Sequence, residues 1–129
     1  MKKIAVIIAI IVISSMGFAQ NSPKIEFSAS ENTIDYGSIK KGNDNGVRAF
    51  EFTNTGDAPL IIGSVSSTSS CSILSKPNEP ILPGKSGKIE VKYNMTAGPF
   101  RKTITVESNA VNYDGGRVPL KIKGEVLAN

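Results

Sequence analysis

The chain has 129 residues and a formal net charge of +4, with 15 lysines and arginines against 11 aspartates and glutamates. That length corresponds to about one domain, and the small excess of positive charge argues against a dedicated nucleic-acid binder. Histidine and tryptophan are absent and cysteine occurs once. Histidine is both the commonest general base and the commonest metal ligand. Because it is missing, we predict no enzyme, no catalytic residue, no metal site and no cofactor.

The N-terminal segment 1–19 has the pattern of a secretory signal peptide. Two lysines precede an unbroken apolar run from Ile4 to Ile13, and the small residues Gly17 and Ala19 close the segment. This pattern predicts cleavage after Ala19, which leaves one domain over 20–129 with a net charge of 4 − 2 = +2. The apolar run is shorter than the ~20 residues of a membrane helix. We therefore expect no membrane span after cleavage, and an uncleaved anchor is the alternative.

Beyond this segment, apolar and polar residues alternate with the period of half-buried strands. In chain order the alternating runs are KIEFS (24–28), RAFEFTN (48–54), GKIEVKYN (87–94), RKTITVES (101–108) and PLKIKGEV (119–126). The third run, for example, places Ile89, Val91 and Tyr93 on one face. PLIIGSV (59–65) is apolar on both faces, which predicts a central strand covered on both sides.

Turn-forming residues separate these runs, as in KKGNDNG (40–46), NTGDAP (54–59) and NYDGG (112–116). About seven short strands joined by such turns predict an antiparallel, immunoglobulin-like β-sandwich, with a small barrel as the alternative fold. The segment 66–83 breaks the alternation because it is rich in serine and then in proline. Proline at that density predicts a connection along a sheet edge with one short strand near 71–74.

Four stretches also carry a resemblance to a known family. They are FEFTNTGDAPLIIGSVSS (50–67), PILPGKSGKIEVKY (80–93), FRKTITVESNA (100–110) and LKIKGEV (120–126). Together they resemble DUF1573, a domain-of-unknown-function family of short exported bacterial proteins, from about Phe27 to Val126. The resemblance implies an immunoglobulin-like β-sandwich related to major sperm protein and Hydin-type domains. It implies no activity.

The single cysteine departs from that family's pattern. The family usually carries Cys-Gly-Cys-Thr after its third core strand, and the matching residues here are Ser69, Ser70, Cys71 and Ser72. By this match Ser69 replaces the first cysteine, so chemistry that needs two sulfurs is not expected. The remaining thiol can be buried as a small apolar group, pair with another molecule, react through a lowered pKa, or have no role.

Two functions of different classes follow. We favour a non-catalytic exported binding or scaffold module, periplasmic or secreted, whose partner is another envelope or secreted protein. Its contacts are expected in the irregular segment 66–83, because loops on a rigid scaffold carry binding functions, or along an exposed strand edge. The candidate contact residues are Ser69, Ser70, Cys71, Ser72 and Lys76. The alternative is a thiol-dependent accessory factor for redox or copper handling that uses Cys71.

Basic stripes on the predicted strands suggest a third type of contact. Lys88 and Lys92 face outward on one strand, and Lys121 and Lys123 do so on another. Interleaved with glutamates, such lysines discourage edge-to-edge aggregation. Their functional alternative is contact with an anionic glycan or lipid head group.

Overall fold

The computed structural model describes residues 21–128, so the predicted signal peptide at 1–19 lies outside the described residues. These residues form eight strands and two single 3₁₀ turns, Ser30–Asn32 and Asp114–Gly116. The strands are β1 Ile25–Phe27, β2 Thr33–Lys40, β3 Val47–Asn54, β4 Ile62–Ser67, β5 Cys71–Ser75, β6 Ser86–Tyr93, β7 Gly98–Ser108 and β8 Arg117–Leu127. The predicted short strand near 71–74 is confirmed as β5.

The strands form two four-stranded sheets packed as a β-sandwich. Sheet A has the order β1-β3-β6-β5 and sheet B the order β2-β8-β7-β4. The predicted immunoglobulin-like sandwich is confirmed, and the strand pairs are antiparallel except that β2 runs parallel to β8. Since β1 and β2 follow each other in the chain but join different sheets, the N-terminal strands tie the two sheets together.

The core lies between the sheets and is built from the alternating positions. Among the largest fully buried side chains are Phe50, Phe52, Ile89, Ile104 and Leu120, which come from both sheets. The ring of Phe27 meets Phe50 edge-on at 6.3 Å between centroids and packs against Phe52 at 5.4 Å. Burial of these large apolar side chains is the main stabilising contribution of the fold.

The prediction for PLIIGSV was wrong. Strand β4 is an edge strand of sheet B rather than a central one, and Ile61 is 48% exposed. Leu60 and Ile62 are buried on either side of it, so the run keeps the ordinary alternation with an apolar residue at an outward position. Period alone could not separate this arrangement from a doubly covered strand, because both read as a continuous apolar run.

The loops collect at two ends of the sandwich. One end carries 21–24, 55–61, 76–85 and 109–116, and we call it the Asn54 end after the buried residue that closes β3 there. The opposite end carries 41–46, 68–70 and 94–97. Among residues 21–128 no helix reaches the length and hydropathy needed to cross a bilayer.

A buried tyrosine organises the opposite end. The Tyr36 hydroxyl donates a hydrogen bond of 2.8 Å to the carbonyl oxygen of Gly46, and its ring meets Phe100 edge-on at 5.2 Å. The Arg48 guanidinium lies 4.0 Å from the centre of the Tyr36 ring and pairs with Asp44 at 2.9 Å. Burial raises the pKa of Tyr36 to about 12, although Arg48 opposes the shift.

We therefore expect a loss of stability at alkaline pH that depends on Tyr36. Because its pKa is about 12 in the folded state against 10.0 for the free group, the neutral phenol stabilises the fold fully below pH 10 and ceases to do so as the pH rises towards 12. Urea unfolding from neutral pH to pH 12 measures this. Tyr36→Phe should cost about 1 kcal/mol at neutral pH through the lost hydrogen bond and should flatten the alkaline decline. An unchanged decline in Tyr36→Phe would contradict the assignment to Tyr36.

Candidate binding end of the sandwich

The exposed large apolar side chains within residues 21–128 lie at or beside one end of the molecule. Ile61, Leu82 and Val111 are in loops of the Asn54 end, with exposed fractions of 48%, 54% and 56%. Leu74, 50% exposed, lies near the end of β5 that leads into the same loops. Single exposed apolar residues are common, but several at one place mark an interaction surface.

A short pair of extended segments sets the direction of Ile61 and Leu82. The main chains of Leu60 and Ile81 form an isolated antiparallel bridge, with N···O distances of 2.9 and 2.8 Å. Leu60 is fully buried, and residues on either side of a bridged residue point the opposite way. The outward residues of this pair, which we call the apolar patch, are Pro59, Ile61, Pro80 and Leu82.

The side chain of Asn54 forms hydrogen bonds to the two segments that carry the apolar patch. It is fully buried, and its Nδ2 donates to the carbonyl oxygens of Ala58 and Ile81, both at 2.8 Å. Its Oδ1 accepts from the main-chain N–H of Gly56 at 2.9 Å and of Lys24 at 3.4 Å. One amide group thus joins three segments of the Asn54 end, and buried groups satisfied in this way fix the loop conformations.

The β7–β8 loop is attached to the same patch. Asn109 Oδ1 accepts from the N–H of Ile61 at 2.8 Å, and its Nδ2 donates to the carbonyl oxygen of Pro59 at 3.2 Å. Further along, the N–H of Val111 donates to the carbonyl oxygen of Pro23 at 2.9 Å. A cavity of about 360 Å³ opens beside Ile61 and is bordered by Gly63, Glu107 and Asn109, among others. The patch therefore sits on a cross-linked surface with a recess next to it.

The sequence-predicted contact residues do not gather at one place. Ser69 and Ser70 form the turn at the opposite end, while Cys71 and Ser72 begin β5. Lys76 follows β5 at the Asn54 end. Because a strand rises about 3.3 Å per residue, the remaining residues of β5, 73–75, separate Lys76 from the other four residues. That these residues contact a partner stays a prediction.

Cys71 is an unpaired, buried cysteine that faces the core, with 9% of its surface exposed. Burial raises the pKa of its thiol, although Ser67 and Lys102 oppose the shift. A reactive or metal-binding cysteine needs a lowered pKa, so these surroundings favour packing. In the described part of the chain no three His, Cys, Asp or Glu side chains group as a metal site.

β5 is an edge strand of sheet A, but its outer edge is poorly suited to accept an added strand. Asn94 donates its N–H to the carbonyl oxygen of Ser70, and pairing of Ser72 with Lys92 continues that ladder. Alternation then turns the main-chain groups of Ile73 towards the open side. A register shift directly after Ile73 interrupts this edge, and such bulges protect edges from added strands.

Sequence reasoning missed Ile61 and Val111 because it searched polar loops for contact residues. Leu82 lies within the irregular segment 66–83 that was expected to carry contacts, but it was not among the candidate residues. A weak signal was present, since three apolar residues in a row (60–62) exceed what one buried face needs. Nothing local indicated that Leu60 would pair with Ile81, and that pairing is what places Ile61 and Leu82 on one surface.

Comparisons with known proteins agree with the architecture. A family model described as protein of unknown function (DUF1573) matches residues 27–126. Among solved structures, the chain is similar to a protein of unknown function from Porphyromonas gingivalis W83, with a TM-score of 0.67 and 19% identity over 83% of this chain and 48% of that one. It thus spans about half the length of that relative. No curated protein matched significantly.

Two further structures are similar at lower identity. An ASH/PapD-like domain of human CEP192 (PapD-like domain 7) gives a TM-score of 0.57 at 12% identity, over 84% of this chain and 89% of that one. The YadV chaperone gives a TM-score of 0.57 at 13% identity, over 80% of this chain and 52% of that one. Likenesses at these identities establish the fold alone.

Proposed function

This chain belongs to the DUF1573 family of proteins of unknown function, and from that premise we propose that it is a non-catalytic exported module that binds another protein through the apolar patch. The observation that carries the proposal is the exposure of Ile61 and Leu82 on two segments that the buried Asn54 side chain and Asn109 hold in place, with exposed Val111 in another loop of the same end. A rigid apolar surface loses little conformational entropy on binding. The signal-peptide pattern at 1–19 supports a location outside the cytoplasm.

The charges around the patch define the type of contact. In the four segments of the Asn54 end, Lys24, Lys76 and Lys85 are balanced by Asp57, Glu79 and Asp114. Long-range steering of a charged partner requires a surface of one sign. The partner is therefore a protein that presents an apolar segment, and burial of apolar area dominates the affinity.

Photo-crosslinking in cells that naturally produce the protein tests this proposal. A photoreactive side chain at Leu82 should form a defined adduct, and the same group at the exposed Thr96 of the opposite end should not. Introducing Ile61→Ser beside the Leu82 probe should reduce the adduct about tenfold, the loss expected when a central apolar contact is removed. Raising the salt from about 0.05 to about 0.5 M, which shortens the Debye length several-fold, should leave it unchanged.

Cys71→Ser supplies the matched control. Because Cys71 faces the core at a distance from the patch, this variant should retain the adduct if it folds. Loss of the adduct in folded Cys71→Ser together with its retention in Ile61→Ser would contradict the scaffold proposal and favour the thiol-dependent alternative. Equal adducts from Leu82 and Thr96 would mean non-specific contact and would also contradict it.

A further inference from the structure

The outer face of sheet B holds a groove that the apolar patch does not involve. Arg101 on β7 lies opposite Lys123 on β8, and Lys121 lies two residues before Lys123 on the same face. On the other side of β8, Thr33 and Asp35 of β2 stand level with these lysines. A cavity of about 390 Å³ is lined by these five residues together with Ser30 and Glu31. We call it the basic groove.

The groove is longer than this one cavity. A second cavity of about 370 Å³ shares Asp35, Arg101 and Lys123 with the first and continues past Pro99 and Gly124. The two together follow the direction of the strands from the 3₁₀ turn at Ser30–Asn32 to the start of β7. An elongated, open depression fits a chain-like ligand better than a compact one.

The three cations of the groove form no ion pair within the described residues, although Asp35 stands level with Lys123 on the neighbouring strand. The ion pairs of that part of the chain are Arg48–Asp44, Lys88–Glu90 and Arg117–Glu107. Arg101 and Lys123, by contrast, occupy directly opposite positions on the paired strands β7 and β8. Like charges in such cross-strand positions destabilise a sheet. A bound anion would relieve this repulsion.

The two carboxylates on the groove wall limit what that anion can be. Glu31 and Asp35 lie beside the cations, and a uniformly anionic surface such as a lipid bilayer would be repelled by them. A ligand with both acidic groups and hydroxyls can use the whole lining. Its acidic groups would pair with Arg101, Lys121 and Lys123, and its hydroxyls would donate to the carboxylates.

We propose that the basic groove binds an acidic oligosaccharide, a sugar chain that carries carboxylate groups along its length. Carboxylates meet the three cations, with Arg101 able to bind one in a bidentate manner. Sugar hydroxyls donate to Asp35 and Glu31 and exchange hydrogen bonds with the Ser30 hydroxyl. The Thr33 hydroxyl, which already donates to the carbonyl oxygen of Glu31 at 3.0 Å, can accept from a further sugar hydroxyl. The Oδ1 of Asp35 already accepts from the N–H of Gly37 at 2.8 Å, which fixes the carboxylate and leaves its second oxygen for the ligand.

Calorimetric titration of the purified protein with tetragalacturonic acid tests the proposal, with maltotetraose as the neutral probe of equal length. The acidic probe should bind and the neutral probe should not. Arg101→Gln and Lys123→Gln should each weaken binding about tenfold, the usual effect of removing one charge-assisted contact. Lys85→Gln, which changes an exposed lysine in the loop before β6 of sheet A, is the matched control and should leave binding unchanged.

Asp35→Asn distinguishes an acidic sugar from a ligand that binds through negative charge alone, because the two predict opposite changes in affinity. The amide oxygen keeps the bond from Gly37, but the acceptor for sugar hydroxyls is weakened, so tetragalacturonate should bind less tightly. If the groove responds only to negative charge, removing a carboxylate should tighten binding instead. Tighter binding in Asp35→Asn, or binding of phosphatidylglycerol vesicles in preference to tetragalacturonate, would overturn the proposal, as would no binding at all.

The free protein provides an independent readout. Arg101→Gln removes the direct like-charge pair with Lys123, so its melting temperature without ligand should rise. If Arg101 had a purely structural role, Arg101→Gln would lower the melting temperature. That result would argue against a ligand-binding function for this position.

Discussion

Asn54→Ala is expected to lower the free energy of unfolding by about 3 kcal/mol, because it removes a buried amide that satisfies main-chain groups of three segments. Without Nδ2 the carbonyl oxygen of Ala58 loses its donor, and without Oδ1 the N–H groups of Gly56 and Lys24 lose their acceptor. Each such group left unpaired in the interior costs about 1–3 kcal/mol. Urea unfolding of the wild type and the variant measures the difference.

Asn109→Ala is the matched control for that experiment. Asn109 makes the same kinds of side-chain bonds, to Ile61 and Pro59, but it is exposed, so water can replace the lost partners. We expect a cost below about 1 kcal/mol. Equal costs for the two variants would mean that burial of Asn54 contributes nothing. Hydrogen exchange at Leu60 and Ile81 should also become faster in Asn54→Ala, because the bridge between these residues loses its support.

Gly116→Ala is expected to be at least as damaging, with a loss of about 4 kcal/mol or more. Gly116 has φ +74°, and a Cβ at this position would overlap the carbonyl oxygen of Ser108. The neighbouring main chain cannot move aside easily, since the N–H of Gly116 donates to the carbonyl oxygen of Tyr113 and its own carbonyl oxygen accepts from the Ser108 hydroxyl. The added methyl group therefore meets backbone on a short, hydrogen-bonded turn.

Gly115→Ala isolates the conformational part of that effect. Gly115 has φ +66° and faces open space, so alanine there should cost only the ~1–2 kcal/mol of a left-handed residue. Thermal or urea unfolding of both variants gives the comparison. If Gly115→Ala were as destabilising as Gly116→Ala, backbone strain rather than the overlap with Ser108 would be the cause.

The period-2 pattern was sufficient to predict most of the sandwich. Ile25 and Phe27, like Ile89 and Val91, are buried as the alternation requires. Strand β2 was missed, because a register shift between Asp35 and Ser38 interrupts its alternation and leaves only short apolar–polar stretches on either side. The sequence also could not show that β2 runs parallel to β8, since pairing partners are decided by the three-dimensional arrangement.

Both candidate sites depend on contacts between distant residues. The apolar patch exists because Leu60 bridges to Ile81. The basic groove exists because β7 brings Arg101 opposite Lys123. The outward direction of Lys121 and Lys123 was predictable from their strand alone, but the addition of Arg101 and Asp35 was not. Local patterns predict the sheet face that a residue occupies. Only the register between strands shows which residues lie next to one another on that face.

The parallel pairing of β2 with β8 constrains the order in which the chain can fold. Thr33 pairs with Lys121, a separation of 121 − 33 = 88 residues, and β8 lies between β2 and β7 in sheet B. While the chain is synthesised from its N-terminus, β2 has no partner strand until β8 has emerged. Loop-closure entropy therefore delays completion of this sheet. Sheet B therefore becomes complete only with the last strand, whereas all four strands of sheet A are available once β6 has emerged.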